Sequence, residues 1–265
     1  NMLANEMFLD SADLRSSVVS KAKQVGYTPS SSVSSKATID VVVNNASGTS
    51  LTMTAGTKFT TTVNTESYSF VNKEDVTITP IDGVYKFSDL DIFEGSYLNY
   101  KYTANTSDLE QRFIIPNDSV DTSTLRVKVQ NSSSDSTTNT YTLATGLTGL
   151  TPTSQVYFLQ EVENGRYEVY FGDGVLGKAI ADGNIVIFDY VTCNRGLPNG
   201  ASTFTLSENI GGFSNVTITT KSNAADGSGP ESIASIKYNA PRDYASQDRA
   251  VTAEDYKVLV KSLYA

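Results

Sequence analysis

The sequence has no histidine and no tryptophan, one cysteine and only 7 prolines in 265 residues. Without histidine, Ser-His-Asp, Cys-His and His-ligated metal sites cannot be built within the chain. A lone cysteine, Cys193, excludes an internal disulfide framework. It follows an apolar run and reads as a small buried hydrophobe, since no histidine can activate its thiol. No apolar run approaches the roughly 18–20 residues needed to span a bilayer. The G-x-S-x-G elbow, the P-loop and the G-x-G-x-x-G fingerprint are also absent. Positive charge is the scarcer sign: 20 Lys and Arg stand against 29 Asp and Glu, a net charge of -9. This argues against nucleic acid or an anionic membrane as the main partner and suits basic partners. No signal peptide is visible. The chain begins at Asn1 rather than Met and stops inside a helical pattern, so a piece of a longer protein is expected.

What is present favours strands. There are 15 Tyr and 11 Phe, with abundant Ser, Thr, Val and Asn. Turn signals recur about every 8–12 residues, the spacing of a sandwich or small barrel. The expected class is α+β, predominantly β: antiparallel, sandwich-like β modules with peripheral helices at the N- and C-termini. Four segments are expected: 1–35, a helix and connector; 36–130, a first β module; 131–220, a second; and 221–265, a helical segment. The polar run at 131–140 reads as an exposed loop or linker. The apolar strand at 185–191 reads as central and Val216–Thr220 as an edge.

Leu14, Val18, Ala22 and Val25 recur at helical spacing. Asp10 or Ser11 can cap that helix and Gly26 can stop it. Its apolar face must be covered, by the body of the chain or by a partner. Residues 221–230 read as a loop, and Pro230 fits the first position of a short helix carrying Ile233 and Ile236. Residues 239–247 read as irregular. Thr252 then caps a last helix, with Val251 and Tyr256 at the staple positions and Val258, Leu259 and Leu263 on its apolar side. Arg242, Asp243, Asp248 and Arg249 cluster before it, placed for ion pairs within the chain or across a contact.

The segment from Val156 to Gly177 organises the rest. Asn164-Gly165 predicts a type I′ hairpin turn. A two-residue loop pairs Val162 with Tyr167, Gln160 with Val169 and Phe158 with Phe171. Val156, Phe158, Val162, Tyr167, Val169 and Phe171 then share a face. Glu161 falls opposite Glu168, either as a proton-sharing dyad, as a solvated face or as a surface for a cationic partner. Asp89-Leu90-Asp91 and Asp226-Gly227-Ser228-Gly229 lack the spaced oxygen ligands of a calcium loop and read as turns.

The run from Tyr167 through Phe171, Gly172, Asp173 and Gly174, with Gly177 beyond, resembles the central motif of the baseplate J-like family. These are wedge proteins of contractile-tail bacteriophages, including the T-even type. Gly56-Thr57-Lys58-Phe59 and Gln111 to Asn117 resemble further motifs of that family. So do Asn199-Gly200-Ala201, Asn239-Ala240-Pro241 and Asp248 to Tyr256. These six motifs, in family order, span most of the chain. One departure stands out: Ile180-Ala181 precede Asp182-Gly183 where the family pattern has a proline.

The resemblance implies a structural subunit of the virion tail baseplate, assembled in the host cytoplasm, with no cofactor, no metal and no catalytic residue. Its implied partners are further copies, as a dimer or ring, and other baseplate wedge or hub proteins, not nucleic acid or membrane. The candidate interface residues are Leu14, Val18, Val25, Arg242, Asp248, Arg249, Tyr256, Leu259 and Leu263. Two other classes stay open. A β-sandwich adhesin or glycan-binding module would show an aromatic platform, for which Tyr97, Tyr100 and Tyr102 are candidates. A carboxylate-only glycosidase would need two acids roughly 5–10 Å apart in a cleft.

Overall fold

The structure, a computed structural model, describes residues 5–246. In chain order its first strands are β1 (Lys36–Val43), β2 (Leu51–Met53), β3 (Lys58–Val63), β4 (Glu66–Val71), β5 (Val76–Ile78), β6 (Tyr85–Glu94) and β7 (Ser96–Thr103). There follow β8 (Phe113–Ile114), β9 (Val120–Gln130), β10 (Thr138–Leu143), β11 (Val156–Glu161), β12 (Tyr167–Phe171), β13 (Ile185–Thr192), β14 (Thr205–Leu206) and β15 (Val216–Ala225). Two helices flank them, α1 (Arg15–Gln24) and α2 (Ile233–Ser246). The predominantly β class with helices near both ends is therefore observed.

One sheet runs β14-β3-β4-β6-β1-β15. Alternation on β1 buries Ile39, Val41 and Val43 on one face, against Phe59, Phe70 and Phe87. The short β2-β5 pair adds Leu51 and Met53 to the same core. β6 is longer than the sequence suggests. Asp89 adopts φ 50° inside it, and the β1–β6 register shifts there. This bulge lets one strand continue where a turn was expected. The buried Asp40 carboxylate accepts the Asp89 N–H at 2.9 Å. β15 lies at the sheet edge, as its alternation implied. It continues through the expected loop because Ala225 and Ser222 still pair with Lys36 and Thr38.

The other sheet runs β7-β13-β9-β10-β11-β12-β8. β13 is central, buried on both faces. The β10–β11 pair is parallel; the other pairs are antiparallel. The two ends of this sheet meet: the Tyr102 hydroxyl on β7 donates to the Ile114 carbonyl on β8 at 2.7 Å. The sheet is thus rolled into a barrel. Its interior holds an edge-to-face aromatic chain, with Tyr102–Phe113, Phe113–Phe171 and Phe171–Tyr141 centroids 5.6, 5.6 and 5.4 Å apart. Such geometry adds roughly 0.5–1.5 kcal/mol per pair beyond burial.

The two sheets join at Glu94-Gly95. A Cβ on Gly95 would lie 1.9 Å from the Thr192 carbonyl oxygen, and its φ is 131°. Only glycine fits that crossing. Gly227 makes a second close approach: a Cβ there would meet Ser35 Oγ at 2.2 Å and the Arg195 carbonyl at 2.4 Å.

α1 ends as expected. Gly26 has φ 82°, and the Tyr27 and Gly26 N–H groups bond back to Ala22 and Lys23, a Schellman closure. Its start differs: Glu6, not Asp10 or Ser11, accepts the Asp13 and Leu14 N–H groups. Val18, Val19 and Ala22 pack on Ile236 and Ala240 of α2. Each buried valine contributes roughly 1.5–3 kcal/mol, so the chain's own body covers this face. α2 starts one turn later than Pro230 implied. Ser232 caps it, its Oγ accepting the Ser235 N–H at 3.2 Å. The helix also runs through Pro241, where an irregular segment was expected. Ile236 and Ala240, both packed on α1, hold the turn that precedes the proline.

Candidate interface surfaces and paired carboxylates

The Asn164-Gly165 turn forms, with φ of 62° and 69°. The register beside it differs from expectation. The Val162 N–H donates to the Arg166 carbonyl at 2.8 Å, and the Arg166 N–H returns to Glu163. Val162 and Glu163 therefore both stand against Arg166, as a bulge. Beyond it Glu161 pairs with Tyr167, Gln160 with Glu168 and Phe158 with Tyr170. A one-residue slip turns side chains to the other face. Tyr157 and Leu159, rather than Val156 and Phe158, join Tyr167, Val169 and Phe171 in the core. Phe158 stacks on Tyr170 outside it, at 5.1 Å. Glu161 and Glu168 consequently lie on opposite faces, so the facing arrangement that all three readings assumed is not formed.

Each carboxylate instead receives its own arginine. Arg15 Nε and Nη2 donate to the two oxygens of Glu161 at 2.7 and 2.8 Å. Arg112 Nε and Nη2 grip Glu168 at 2.9 and 2.8 Å, and Gln160 adds a bond at 2.6 Å. Planar bidentate pairing of this kind is the strong form of a charged hydrogen bond. The Arg112 fork holds the Glu168 carboxyl below its usual range, against desolvation. Neither glutamate offers a free oxygen pair for proton transfer. The sequence carried no signal for these partners, because Arg15 is 146 residues from Glu161.

The Arg15 clamp extends. Arg15 Nη1 also donates to the Glu231 carbonyl, and the Glu231 carboxylate accepts the Tyr27 hydroxyl at 2.9 Å. Ser235 and Asn239 of α2 donate to the same carboxylate. Burial, then the Glu231 charge, pushes the Tyr27 phenol upward. Burial and the Glu161 charge do the same to Tyr167, whose hydroxyl donates to the Pro29 carbonyl at 3.0 Å. Both helices are thereby tied to the hairpin. A cleft of about 730 Å³ opens beside them, lined by Arg15, Lys23, Arg112, Glu161, Glu163 and Arg195 among others.

The Gly172-to-Gly177 loop is closed on itself by hydrogen bonds and a close backbone approach. Asp173 Oδ1 accepts the Val175 and Leu176 N–H groups, each at 2.9 Å. A Cβ on Gly172 would lie 2.4 Å from the Gly177 backbone. The loop holds Val175 and Leu176 out in solvent, 67% and 41% exposed.

Of the candidate contact residues, Leu14 is exposed, Val18 is buried inside the helix pair, and Val25 packs beside it. Arg242 stacks over the exposed Tyr238, 3.4 Å from its ring centroid. Asp248, Arg249, Tyr256, Leu259 and Leu263, with the last expected helix, lie outside the described residues. Cys193 is buried as expected, and burial raises its thiol. Tyr97, Tyr100 and Tyr102 form no shared platform: Tyr102 enters the barrel interior, and Tyr97 packs against Val71, Phe93 and Val191. Asp89-Leu90-Asp91 lies within β6, Asp91 accepting the Thr38 hydroxyl. Among the described residues no group of three His, Cys, Asp or Glu is placed to hold a metal. No described helix is long and apolar enough to cross a membrane.

Residues 100–199 match the family described as bacteriophage baseplate wedge protein gp6, third domain. The whole chain aligns with the baseplate wedge protein gp6 of Enterobacteria phage T4, 26% identical over 290 aligned positions. Both matches are to baseplate wedge proteins. The domain match takes in the end of β7 and all of β8 to β13, hence most of the barrel, both arginine-held carboxylates and the glycine loop. The chain spans 43% of that relative's length.

Proposed function

We propose that this chain is a structural component of a contractile tail baseplate, part of a wedge subunit that assembles through protein–protein contacts. The observation that carries this reading is the domain match over 100–199 within an alignment covering all of the chain. In this reading copies of the chain and other wedge or hub proteins form a ring around the hub. The ring is assembled in the host cytoplasm and rearranges when the sheath contracts. Its work is large-area contact with switchable interfaces, not turnover. The contact surface between copies is assigned to the helix pair and the segment after it. Leu14, Tyr238 and Tyr244, all exposed on the helical side, and Arg242 are its described members; Asp248, Arg249, Tyr256, Leu259 and Leu263 are assigned to it from the sequence.

Light scattering over a range of concentrations tests this assignment. A dimer or larger species is expected, and Leu14→Lys with Tyr238→Lys should shift it towards monomer. A strict monomer at high concentration for the parent chain contradicts self-contact through the helices.

A further inference from the structure

Four loops meet at one end of the barrel, and the glycine loop ties them together. Its continuation, residues 172–184, bonds to each of the other three. Gly183 N–H donates to the Ala104 carbonyl at 2.9 Å, and Gly177 N–H donates to Thr151 at 3.1 Å. Asp182 accepts the Thr106 N–H at 3.0 Å, and Asn184 Nδ2 donates to the Asn131 carbonyl at 2.8 Å. The bonded backbone is thus shared by loops 104–112, 131–137, 144–155 and 172–184.

This end is both apolar and acidic. Leu109, Leu147, Val175 and Leu176 are 95%, 59%, 67% and 41% exposed. Large aliphatic side chains on constrained loops keep apolar surface in water at a cost that a partner would relieve. The same four loops carry Asp108, Glu110, Asp135, Asp173 and Asp182, all exposed. Among the described residues none of these five has an ion-pair partner. Several accept backbone N–H bonds of their own loops, which fixes their positions without neutralising them. The four loops carry two cations, Lys178 and Arg112, and Arg112 is committed to Glu168.

We infer that this loop end is the docking face for a different protein, one that presents lysines or arginines around an apolar centre. A second copy through the same face would set five carboxylates against five, and like charges across a contact are repelled. The chain's basic cleft is no better match. It also carries Asp118, Glu161 and Glu163, and Arg15 and Arg112 are spent on internal carboxylates. The inference rests on the baseplate reading for where the partner is found, not for its chemistry.

The test is carbodiimide cross-linking of intact tail particles containing the full-length protein, read by mass spectrometry. The reagent joins carboxylates directly to lysines. Cross-links from Asp108, Glu110, Asp173 or Asp182 to lysines of another polypeptide are expected. Val175→Lys with Leu176→Lys, at exposed positions, should remove them while self-association and thermal stability stay as in the parent. Cross-links to lysines of a second copy overturn the inference. So does their absence from particles that retain the helix-side contacts. If the chain is missing from tail particles altogether, the baseplate reading itself fails, and this inference with it.

Discussion

Arg15 closes on Glu161 through two parallel hydrogen bonds of 2.7 and 2.8 Å, linking the first helix to the central hairpin across 146 residues of sequence. Glu161 is almost fully enclosed while Arg15 keeps about a quarter of its surface, with side-chain exposures of 2% and 28%. Removing the arginine would strand a buried carboxylate. Arg15→Met is therefore expected to destabilise the fold by about 2–3 kcal/mol, the lower end for a broken buried pair because Arg15 is partly solvated. Arg15→Met with Glu161→Leu should recover more than half of that loss. Urea denaturation of the three proteins checks both statements.

Two glutamates respond to acid in opposite directions. Glu168 is held below its ordinary value by Arg112, with desolvation opposing. Its stabilisation is present above the unfolded carboxyl value of about 4.3 and is lost as pH falls through the folded one. Glu94 is raised, chiefly by burial; among the described residues its donors are the Asn194 backbone and side-chain N–H groups. Its contribution is full below the unfolded value and is lost as pH rises through the folded one. Around Glu94 stand Ser67, Tyr68, Ser69, Ser96, Ser119, Thr192 and Cys193, none of them a cation. Glu94→Gln should exceed the parent in thermal stability at pH 8, the advantage closing towards pH 4. Glu168→Gln should fall below the parent at pH 8, the deficit closing on the same acid side.

Two glycines of the barrel-end loops give a sharp contrast. A Cβ at Gly172 meets the Gly177 and Leu176 backbone at 2.4 Å, whereas one at Gly146 meets nothing within 4 Å. Gly172→Ala is expected to cost about 2–3 kcal/mol through overpacking against main chain. Gly146→Ala should leave stability unchanged or raise it by up to about 1 kcal/mol, because it restricts only the unfolded chain. Chemical denaturation midpoints distinguish the two.

Local signals carried much of this fold. A continuous apolar run gave β13, and Gly26 gave the end of α1. Asn164-Gly165 gave a turn with both residues at positive φ. What escaped was set by contacts distant in sequence. The β11–β12 register hangs on a single extra residue, Glu163, which no turn pattern distinguishes. β15 outruns its composition because β1 is there to pair with it, and the turn of α2 before Pro241 is held by α1 through Ile236 and Ala240. The charged pairs were illegible for the same reason. Glu161 and Glu168 were expected to face each other, and the slipped register sent each to its own arginine. The closure of the barrel at Tyr102 and Ile114 likewise joins strands that are not consecutive.

The most direct measurement locates the full-length protein in intact contractile tails. A compact density tag fused to it would be sought in averaged images of purified particles. The account expects the tag at the baseplate, repeated around the tail axis at the radius of the wedges. A tag absent from tails, or distributed along the sheath, would contradict it.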